Sequence, residues 1–259
     1  MTEIGVDPGS HAPSDPVPTP EAYDVAGICA HPDDAELTMG GTLAREASRG
    51  RRVALVDLTR GEAGSRGTPE LRAQEAHRSA RILGVAHREC VGLPDGGLAS
   101  TTEQRDAIVA VLRRLRPRVV LLQHAQQRHP DHASASQLVY DAAYIGGLRH
   151  YRPDLGVAFR PFKLLYAVTM TEARDVRPTL VVDVTSTWNQ KLQAIQAFES
   201  QFTPSSGEHV KLPFDGFRDA VELMGRRHGQ LIGVRYGEGF VSHEPVEVSD
   251  LAELSVSSF

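Results

Sequence analysis

The chain reads Ala30-His31-Pro32-Asp33-Asp34-Ala35-Glu36 directly after its first apolar run, Val25-Ala26-Gly27-Ile28-Cys29. A short apolar run that ends at Pro and Asp is typical of a buried parallel strand. In open α/β sheets, ligands bind at the carboxyl ends of the strands. The polar residues of this stretch are therefore predicted to lie where such a fold places its active site.

Two chemical interpretations fit this stretch. Imidazole and carboxylate groups are ordinary Zn²⁺ ligands, and a catalytic zinc site needs only three protein ligands, so His31 and its acidic neighbours suit a divalent metal. Asp33, Asp34 and Glu36 also suit the cap and first turn of a following helix, where carboxylates complement the helix dipole. This stretch alone leaves both interpretations open.

A second polar stretch favours the metal. It follows another apolar run, Val119-Val120-Leu121-Leu122, and ends in His129-Pro130-Asp131-His132. Pro is common at the first position of a helix, so a helix is expected to begin near this Pro, with the two histidines close together at its first turn. Both stretches thus end strands and open helices. Together they predict one metal site with the ligands His31, Asp34 and His132.

The two motifs resemble those of the PIG-L/LmbE-like zinc-dependent N-deacetylases. Other segments narrow the resemblance to the bacillithiol-biosynthesis (BshB-type) branch: residues 58–68 with Thr-Arg-Gly-Glu, residues 93–96 with Leu-Pro-Asp-Gly, and residues 231–240 with Tyr-Gly-Glu-Gly-Phe. The resemblance runs from about Val25 to about Phe240. It implies a Rossmann-like three-layer α/β fold, in which helices flank a mainly parallel sheet.

The resemblance also implies catalytic roles for Asp33, His129 and Asp131. Asp33 matches the general base that takes a proton from the attacking water, and His129 matches an imidazolium that stabilises the oxyanion. Asp131 matches the carboxylate that orients His129 and raises its pKa. The sequence leaves open whether Asp33 or His129 protonates the leaving amine.

Substrate-binding residues are expected in the loops after the next two strands. The resemblance makes Arg60 a substrate binder, and Arg66 lies in the same Gly-rich loop; a guanidinium can bind a carboxylate through two parallel hydrogen bonds. Both also fit a solvent-exposed loop. Asp95 is expected to contact sugar hydroxyls, although its Pro-Asp-Gly-Gly context also fits an ordinary turn. Glu36 is expected to support the metal ligands or the helix terminus rather than to react.

The predicted function is hydrolysis of the acetamide of an N-acetylglucosamine conjugate, and N-acetylglucosaminyl malate of bacillithiol biosynthesis is the specific expectation. Zn²⁺ is the expected cofactor, although a site of two His and one Asp also accepts Fe²⁺ or another divalent ion. Alternatives within the family are a deacetylase of another N-acetyl sugar and a thiol-conjugate amidase. An alternative of another class is a metal- or sugar-binding module without turnover. The presence of both Asp33 and His129 favours an enzyme.

Other functional classes have less support. A dinucleotide-binding turn would carry Gly-x-Gly-x-x-Gly, whereas this chain has His31-Pro32-Asp33-Asp34, whose carboxylates would repel a pyrophosphate. The formal net charge of −5 over 259 residues gives no indication of a nucleic-acid partner. No stretch approaches the roughly 18 apolar residues of a membrane span, and no signal peptide is evident, so the cytoplasm is the expected location. The resemblance adds an expected homo-oligomer, a trimer or a hexamer.

Strand and helix patterns alternate over residues 22–245, which predicts βαβ units within a single deacetylase domain. Residues 1–21 carry several Pro without apolar periodicity and predict a disordered tail, and residues 246–259 predict a loose C-terminal tail. The later part of the chain predicts strands over 162–170 and 179–184, helices over 188–199 and 215–228, and an extended segment over 231–236.

Overall fold

A seven-stranded sheet forms the centre of the computed structural model, which describes residues 22–169, 176–203 and 214–256. The strands are β1 (Val25–Cys29), β2 (Val53–Thr59), β3 (His87–Leu93), β4 (Val119–Gln123), β5 (Lys163–Ala167), β6 (Leu180–Asp183) and β7 (Gly237–Val241). They lie in the order β3-β2-β1-β4-β5-β7-β6. The pairs among β1 to β5 are parallel, and β7 runs antiparallel to β5 and β6.

Helices cover both faces of this sheet. They are α1 (Asp34–Ser48), α2 (Pro69–Leu83), α3 (Thr102–Leu115), α4 (Pro130–Gly146), α5 (Trp188–Gln196), α6 (Glu199–Phe202) and α7 (Phe214–Gln230). Ala26 and Ile28 of β1 pack in one core with α3 and α4, while Val25 and Cys29 pack in another with α1, α2 and α5. Burial on both faces is what a parallel sheet requires. The structure confirms the predicted three-layer α/β fold.

The direction of strand order reverses at β1. The chain moves from β1 to β2 on one side, and β4 pairs with the other side of β1, with Ile28 opposite Leu122. The carboxyl ends of β1 and β4 therefore lie next to each other, and α1 and α4 begin just beyond them. Such a switch point is the usual ligand crevice of a doubly wound sheet. It brings the two polar stretches of the sequence together.

The extended segment predicted over residues 231–236 is wrong. Helix α7 ends there in a Schellman motif, in which Val234 N–H donates to the Gly229 carbonyl at 3.0 Å and Gly233 N–H donates to the Gln230 carbonyl at 3.3 Å. Gly233 has a φ of 72°, which a residue without Cβ adopts at little cost. The chain reverses at this glycine, and the strand begins only at Gly237.

The predicted tails are described in part. Residues 1–21 lie outside the described residues, as do 257–259. Residues 246–256 form exposed, irregular chain with one short 3₁₀ helix at Leu251–Glu253. The domain bounds of 22–245 stay a prediction. Within the described ranges, we find no helix with the length and apolar character needed to cross a bilayer.

Candidate active site

The three predicted metal ligands meet at the switch point. Asp34, the first residue of α1, accepts a hydrogen bond from His31 N–H at 2.8 Å, and the same carboxylate oxygen lies 3.2 Å from His31 Nδ1. Its other oxygen lies 3.2 Å from Nε2 of His132, in the first turn of α4. One ligand atom from each residue lies within 4.8 Å of the others. Strand order thus joins residues that are about a hundred positions apart.

This donor set fits a divalent cation. Two imidazoles and one carboxylate are ordinary ligands of Zn²⁺. Burial would raise the pKa of Asp34, but the charges and hydrogen bonds of His132 and His31 hold it well below its ordinary value. Burial would likewise lower the pKa of His31, but Asp34, Asp95 and Asp33 raise it to about 9. The local field therefore favours positive charge at the point where the ligand atoms converge.

Asp33 occupies the N-cap position of α1 beside these ligands, in a strained backbone conformation and without a side-chain capping hydrogen bond. Its φ is 105°, a region that residues with a Cβ rarely occupy and that is concentrated at functional sites. The Asp33 Oδ2 atom lies 3.3 Å from Nη2 of Arg72, which also donates to the Pro32 carbonyl. Burial raises the pKa of Asp33 to about 7, even though the Arg72 charge lowers it. A carboxylate with such a pKa suits proton transfer near neutral pH.

Arg72 contacts the site but is absent from the residues predicted for it from the sequence. It is only 5% exposed, and its Nη1 atom donates to the Gly61 carbonyl at 3.4 Å. A signal was present, because Arg72 lies four and eleven residues before Ala76 and Leu83, on the inner face of α2. A basic residue on the buried face of an amphipathic helix needs an acidic partner, which here is Asp33.

The structure differs from expectation at His129. The Nδ1 atom of His129 accepts a hydrogen bond from the backbone N–H of Asp131 at 3.2 Å, and its ring stacks on that of His132 at 4.8 Å. Burial and the charges of His132 and His31 lower the pKa of His129, more than Asp131 raises it. A neutral ring whose Nδ1 accepts carries its proton on Nε2. His129 therefore presents an N–H donor rather than a stable imidazolium.

The Asp131 carboxylate forms its hydrogen bonds with residues other than His129. Its Oδ2 atom accepts from Gly96 N–H at 2.7 Å and lies 3.3 Å from Nε2 of His31, and its Oδ1 atom accepts from Leu98 N–H at 3.3 Å. Asp131 is 2% exposed. It fastens the turn after β3 to α4 and orients His31, whereas the sequence predicted that it orients His129.

Asp95 belongs to the same cluster. Its Oδ1 atom lies 3.0 Å from Nε2 of His31, and its Oδ2 atom accepts from Ala63 N–H at 2.9 Å. Its backbone N–H donates to Glu62 at 2.9 Å, so the turn that carries it is tied to the loop after β2. This predicted sugar-binding residue thus lies directly beside the metal ligands.

The two predicted arginines have different positions. Arg60 is exposed at the rim, with its guanidinium beside Gly92 of β3. Arg66 instead donates to the backbone carbonyls of Gln201, at 2.9 Å, and Thr203. Its described hydrogen bonds anchor the Gly-rich loop to α6 rather than reaching the His/Asp cluster.

Glu36 lies in a second buried cluster. Its Oε1 atom accepts hydrogen bonds from Ser79 Oγ on α2 and from Nη1 of Arg88 on β3. The Nε and Nη2 atoms of Arg88 also donate to the Asp57 carboxylate, at 2.8 and 2.9 Å. Glu36 thus holds α1, the helix that presents Asp33 and Asp34, against its neighbours. Its hydrogen bonds to described residues do not reach the metal ligands.

Tyr236 and Glu238, which marked the branch in the sequence, have packing roles. Tyr236 stacks on Trp188 with ring centroids 4.2 Å apart. The Glu238 carboxylate accepts from Gly41 N–H at 2.9 Å and Thr42 N–H at 2.7 Å, within α1. Glu238 also pairs with Lys191 at 2.6 Å, and both side chains are 3% exposed. These contacts dock α1 on β7.

Comparisons with known proteins identify the family of this chain. The family model for the PIG-L GlcNAc-PI de-N-acetylases matches residues 27–143. A diacetylchitobiose deacetylase from Thermococcus kodakarensis is 32% identical over 233 residues, covering 86% of this chain and 84% of that protein. A 1D-myo-inositol 2-acetamido-2-deoxy-alpha-D-glucopyranoside deacetylase from a Nocardioides species is 31% identical over 188 residues, covering 57% and 62%.

Among solved structures, the conserved protein TT1542 from Thermus thermophilus is similar, with a TM-score of 0.77 and 39% identity over 87% of this chain and 97% of that one. The sequence relatives and this structure extend the match beyond the family model, over most of the described fold. The chain therefore belongs to the PIG-L family of deacetylases.

Proposed function

We propose that this protein is a metal-dependent hydrolase that removes the acetyl group from a small-molecule N-acetylglucosamine conjugate. The observation that carries the proposal is one constellation, in which Asp33 lies next to the converging His31, Asp34 and His132 at the switch point. Membership of the deacetylase family supports the reaction class.

His31, Asp34 and His132 would hold the metal, with Zn²⁺ as the expected ion and Fe²⁺ or another divalent ion as alternatives. When bound, such an ion supplies Lewis acidity, which makes water easier to deprotonate and polarises a carbonyl oxygen. Asp131 and Asp95 on the Nε2 side of His31 keep its ring in place.

Asp33 acts as the general base in this proposal. It takes a proton from the attacking water, and its burial, which raises the pKa of the carboxyl, helps it to hold that proton. Arg72 fixes the carboxylate by an ion pair at 3.3 Å. Asp33 then passes this proton to the leaving amine, because a neutral His129 could give up its Nε2 proton only by becoming an imidazolate.

His129 contributes a hydrogen bond to the developing oxyanion. Its Nδ1 atom is occupied by the Asp131 N–H, so Nε2 is the donor that faces the substrate side. A neutral histidine serves as an electrophile when its pKa is lowered, which is the direction that burial and the adjacent imidazoles give here.

Asp95 and Arg60 are the proposed sugar-side residues. Asp95 is close enough to His31 to contact a hydroxyl of a sugar whose acetamide lies at the ligands, and Arg60 offers an exposed cation at the rim. An exposed guanidinium suits a carboxylate such as that of N-acetylglucosaminyl malate. Relatives are named for diacetylchitobiose and for an inositol conjugate, so these three conjugates form the substrate panel. A homo-oligomer and a cytoplasmic location stay predictions.

The test is acetate release from the three conjugates by zinc-loaded protein, with and without a chelator. Asp33→Asn is expected to lower kcat by about 10²–10⁴-fold, the usual contribution of a general base, while it retains zinc. Asp154→Asn, which alters an exposed carboxylate on a distant turn, serves as the control and should keep full activity. Full turnover by Asp33→Asn would exclude the assigned base, and no acetate from any conjugate by the zinc-loaded wild type would exclude the substrate class.

A further inference from the structure

We propose that a cavity beside the metal ligands receives the acyl group of the substrate and accepts acyl chains longer than acetyl. This inference rests on the proposed amide hydrolysis. It adds a property that the deacetylase assignment does not contain, namely which part of the substrate enters the protein and how long that part can be.

The cavity has a volume of about 110 Å³, and two of the proposed metal ligands, Asp34 and His132, line it. Its apolar wall comes from α1, the end of β5 and α7, and consists of Leu37, Val168, Phe217, Val221 and Met224. An acyl carbon positioned at the ligands would therefore have hydrocarbon surface directly behind it.

Three polar side chains of the wall, Lys191, His228 and Thr38, are engaged within the protein. Lys191 donates to Glu238 at 2.6 Å and to the Leu37 carbonyl at 2.9 Å. His228 accepts from Gly239 N–H at 3.1 Å, and Thr38 Oγ1 donates to the Asp34 carbonyl at 2.8 Å. A sugar ring in this cavity would exchange the water around its hydroxyls for a wall that is largely hydrocarbon, which costs free energy for each hydroxyl left unpaired. A hydrocarbon chain has no hydroxyl to leave unpaired there.

The shape of the amide sends its two substituents in opposite directions. The acyl chain and the nitrogen-bound sugar leave the carbonyl carbon on different sides. Asp33, Asp95 and Arg60 do not line the cavity, so the polar side of the site and the apolar cavity flank the ligands separately. A sugar held by Asp95 therefore directs the acyl chain toward Val221 and Met224.

The chemistry is unchanged by chain length. The oxygen of water bonds to the carbonyl carbon, and the C–N bond breaks. Both protons of the water pass to the nitrogen, so the products are a carboxylate and a protonated amine. Since burial of one methylene favours binding by about fourfold, each methylene that fits should raise kcat/KM by up to that factor.

The experiment compares methyl glycosides of N-acetyl-, N-propionyl- and N-butyryl-glucosamine with the zinc-loaded full chain. We expect the wild type to hydrolyse the butyryl compound at least as well as the acetyl compound, judged by kcat/KM. Val221→Phe narrows the cavity and should lower the butyryl-to-acetyl ratio of kcat/KM about tenfold. Leu223→Phe is the matched control, because Leu223 is 68% exposed on the same helix, and it should leave this ratio unchanged.

Val221→Leu provides a second variant in case the larger side chain unfolds the protein, and it should shift the butyryl-to-acetyl ratio in the same direction by a smaller factor. Binding is measured by calorimetric titration of acetate and butyrate into the zinc-loaded protein. The wild type should bind butyrate more tightly than acetate, whereas Val221→Phe should not. A wild type that prefers acetyl by tenfold or more and binds acetate more tightly than butyrate would overturn the inference. If no glycoside is hydrolysed, acetate release from the three conjugates decides the proposed function, and the titration decides whether the cavity takes an acyl chain.

Discussion

The Nη2 atom of Arg72 lies 3.3 Å from the Oδ2 atom of Asp33, and the two residues belong to separate elements, the inner face of α2 and the cap of α1. The side chains of this pair are 6% and 15% exposed. Burial alone would favour the neutral form of Asp33, and the ion pair stabilises its carboxylate. The backbone of Asp33 has a φ of 105°. The position of the proposed base therefore depends on a residue from outside its own motif.

Arg72→Met is expected to lower kcat by about 10–100-fold, the range seen when groups that orient active-site residues are removed. The reason is that Asp33 loses the partner that fixes its carboxylate. Zinc content should stay unchanged, because Arg72 does not contact the ligands among the described hydrogen bonds. Arg81→Met, an exposed position on the same helix, is the control, and steady-state kinetics with zinc quantification is the measurement. Equal kcat in both variants would show that the ion pair does not position Asp33.

His132→Ala is expected to weaken zinc binding by more than about 100-fold, since loss of a mere supporting residue already costs 10–100-fold. His132 supplies one of three converging ligand atoms, so two ligands would remain. The dissociation constant is measured by competition with a chromogenic chelator. His150→Ala, which changes an exposed histidine, should bind zinc like the wild type. Unaltered affinity in His132→Ala would place the metal elsewhere.

Lys191→Met is expected to lower the free energy of unfolding by about 3–5 kcal/mol, because it leaves the carboxylate of Glu238 buried without its cation. The two side chains are 2.6 Å apart and 3% exposed. Lys163→Met offers a matched comparison, since its partner Glu244 is 59% exposed and such surface pairs contribute at most about 1 kcal/mol. Urea unfolding gives both values. Similar losses in the two variants would contradict a special role for the buried pair.

The stability of the protein should fall as the pH drops from about 6.5 to about 4, in part because of His228. Burial lowers the pKa of His228 to about 4, so the unfolded chain binds a proton in this window that the folded chain does not. The contribution is about 3 kcal/mol, present above the unfolded pKa and lost as pH falls toward the folded one. His228→Gln keeps an acceptor for Gly239 N–H and removes the titration. Unfolding curves at several pH values should show a shallower decline in the variant, and identical declines would refute the assignment to His228.

Much of the fold followed from local patterns in the chain. The alternation of apolar strands with amphipathic helices determines a mainly parallel sheet, because crossover connections are right-handed and bury both faces. The motifs at residues 31–36 and 129–132 stand at strand ends, and parallel strands place such ends on one edge. For that reason the three side chains of His31, Asp34 and His132 lie close together, which was predictable from the sequence.

Other features depend on packing between elements that are distant in sequence. Arg72 lies against Asp33, the Asp131 carboxylate pairs with the Gly96 turn and His31, and Arg66 is anchored on α6. Residues 231–236, which were predicted to be extended, form a helix end instead, because Gly233 adopts a left-handed backbone conformation. Periodicity gives the face on which a side chain lies, but the partner opposite that face is set by helix docking and by the register of the sheet. Local patterns therefore suffice for the fold and for the convergence of the three predicted ligands, whereas the hydrogen-bond partners of the remaining site residues and the apolar cavity beside them depend on tertiary packing.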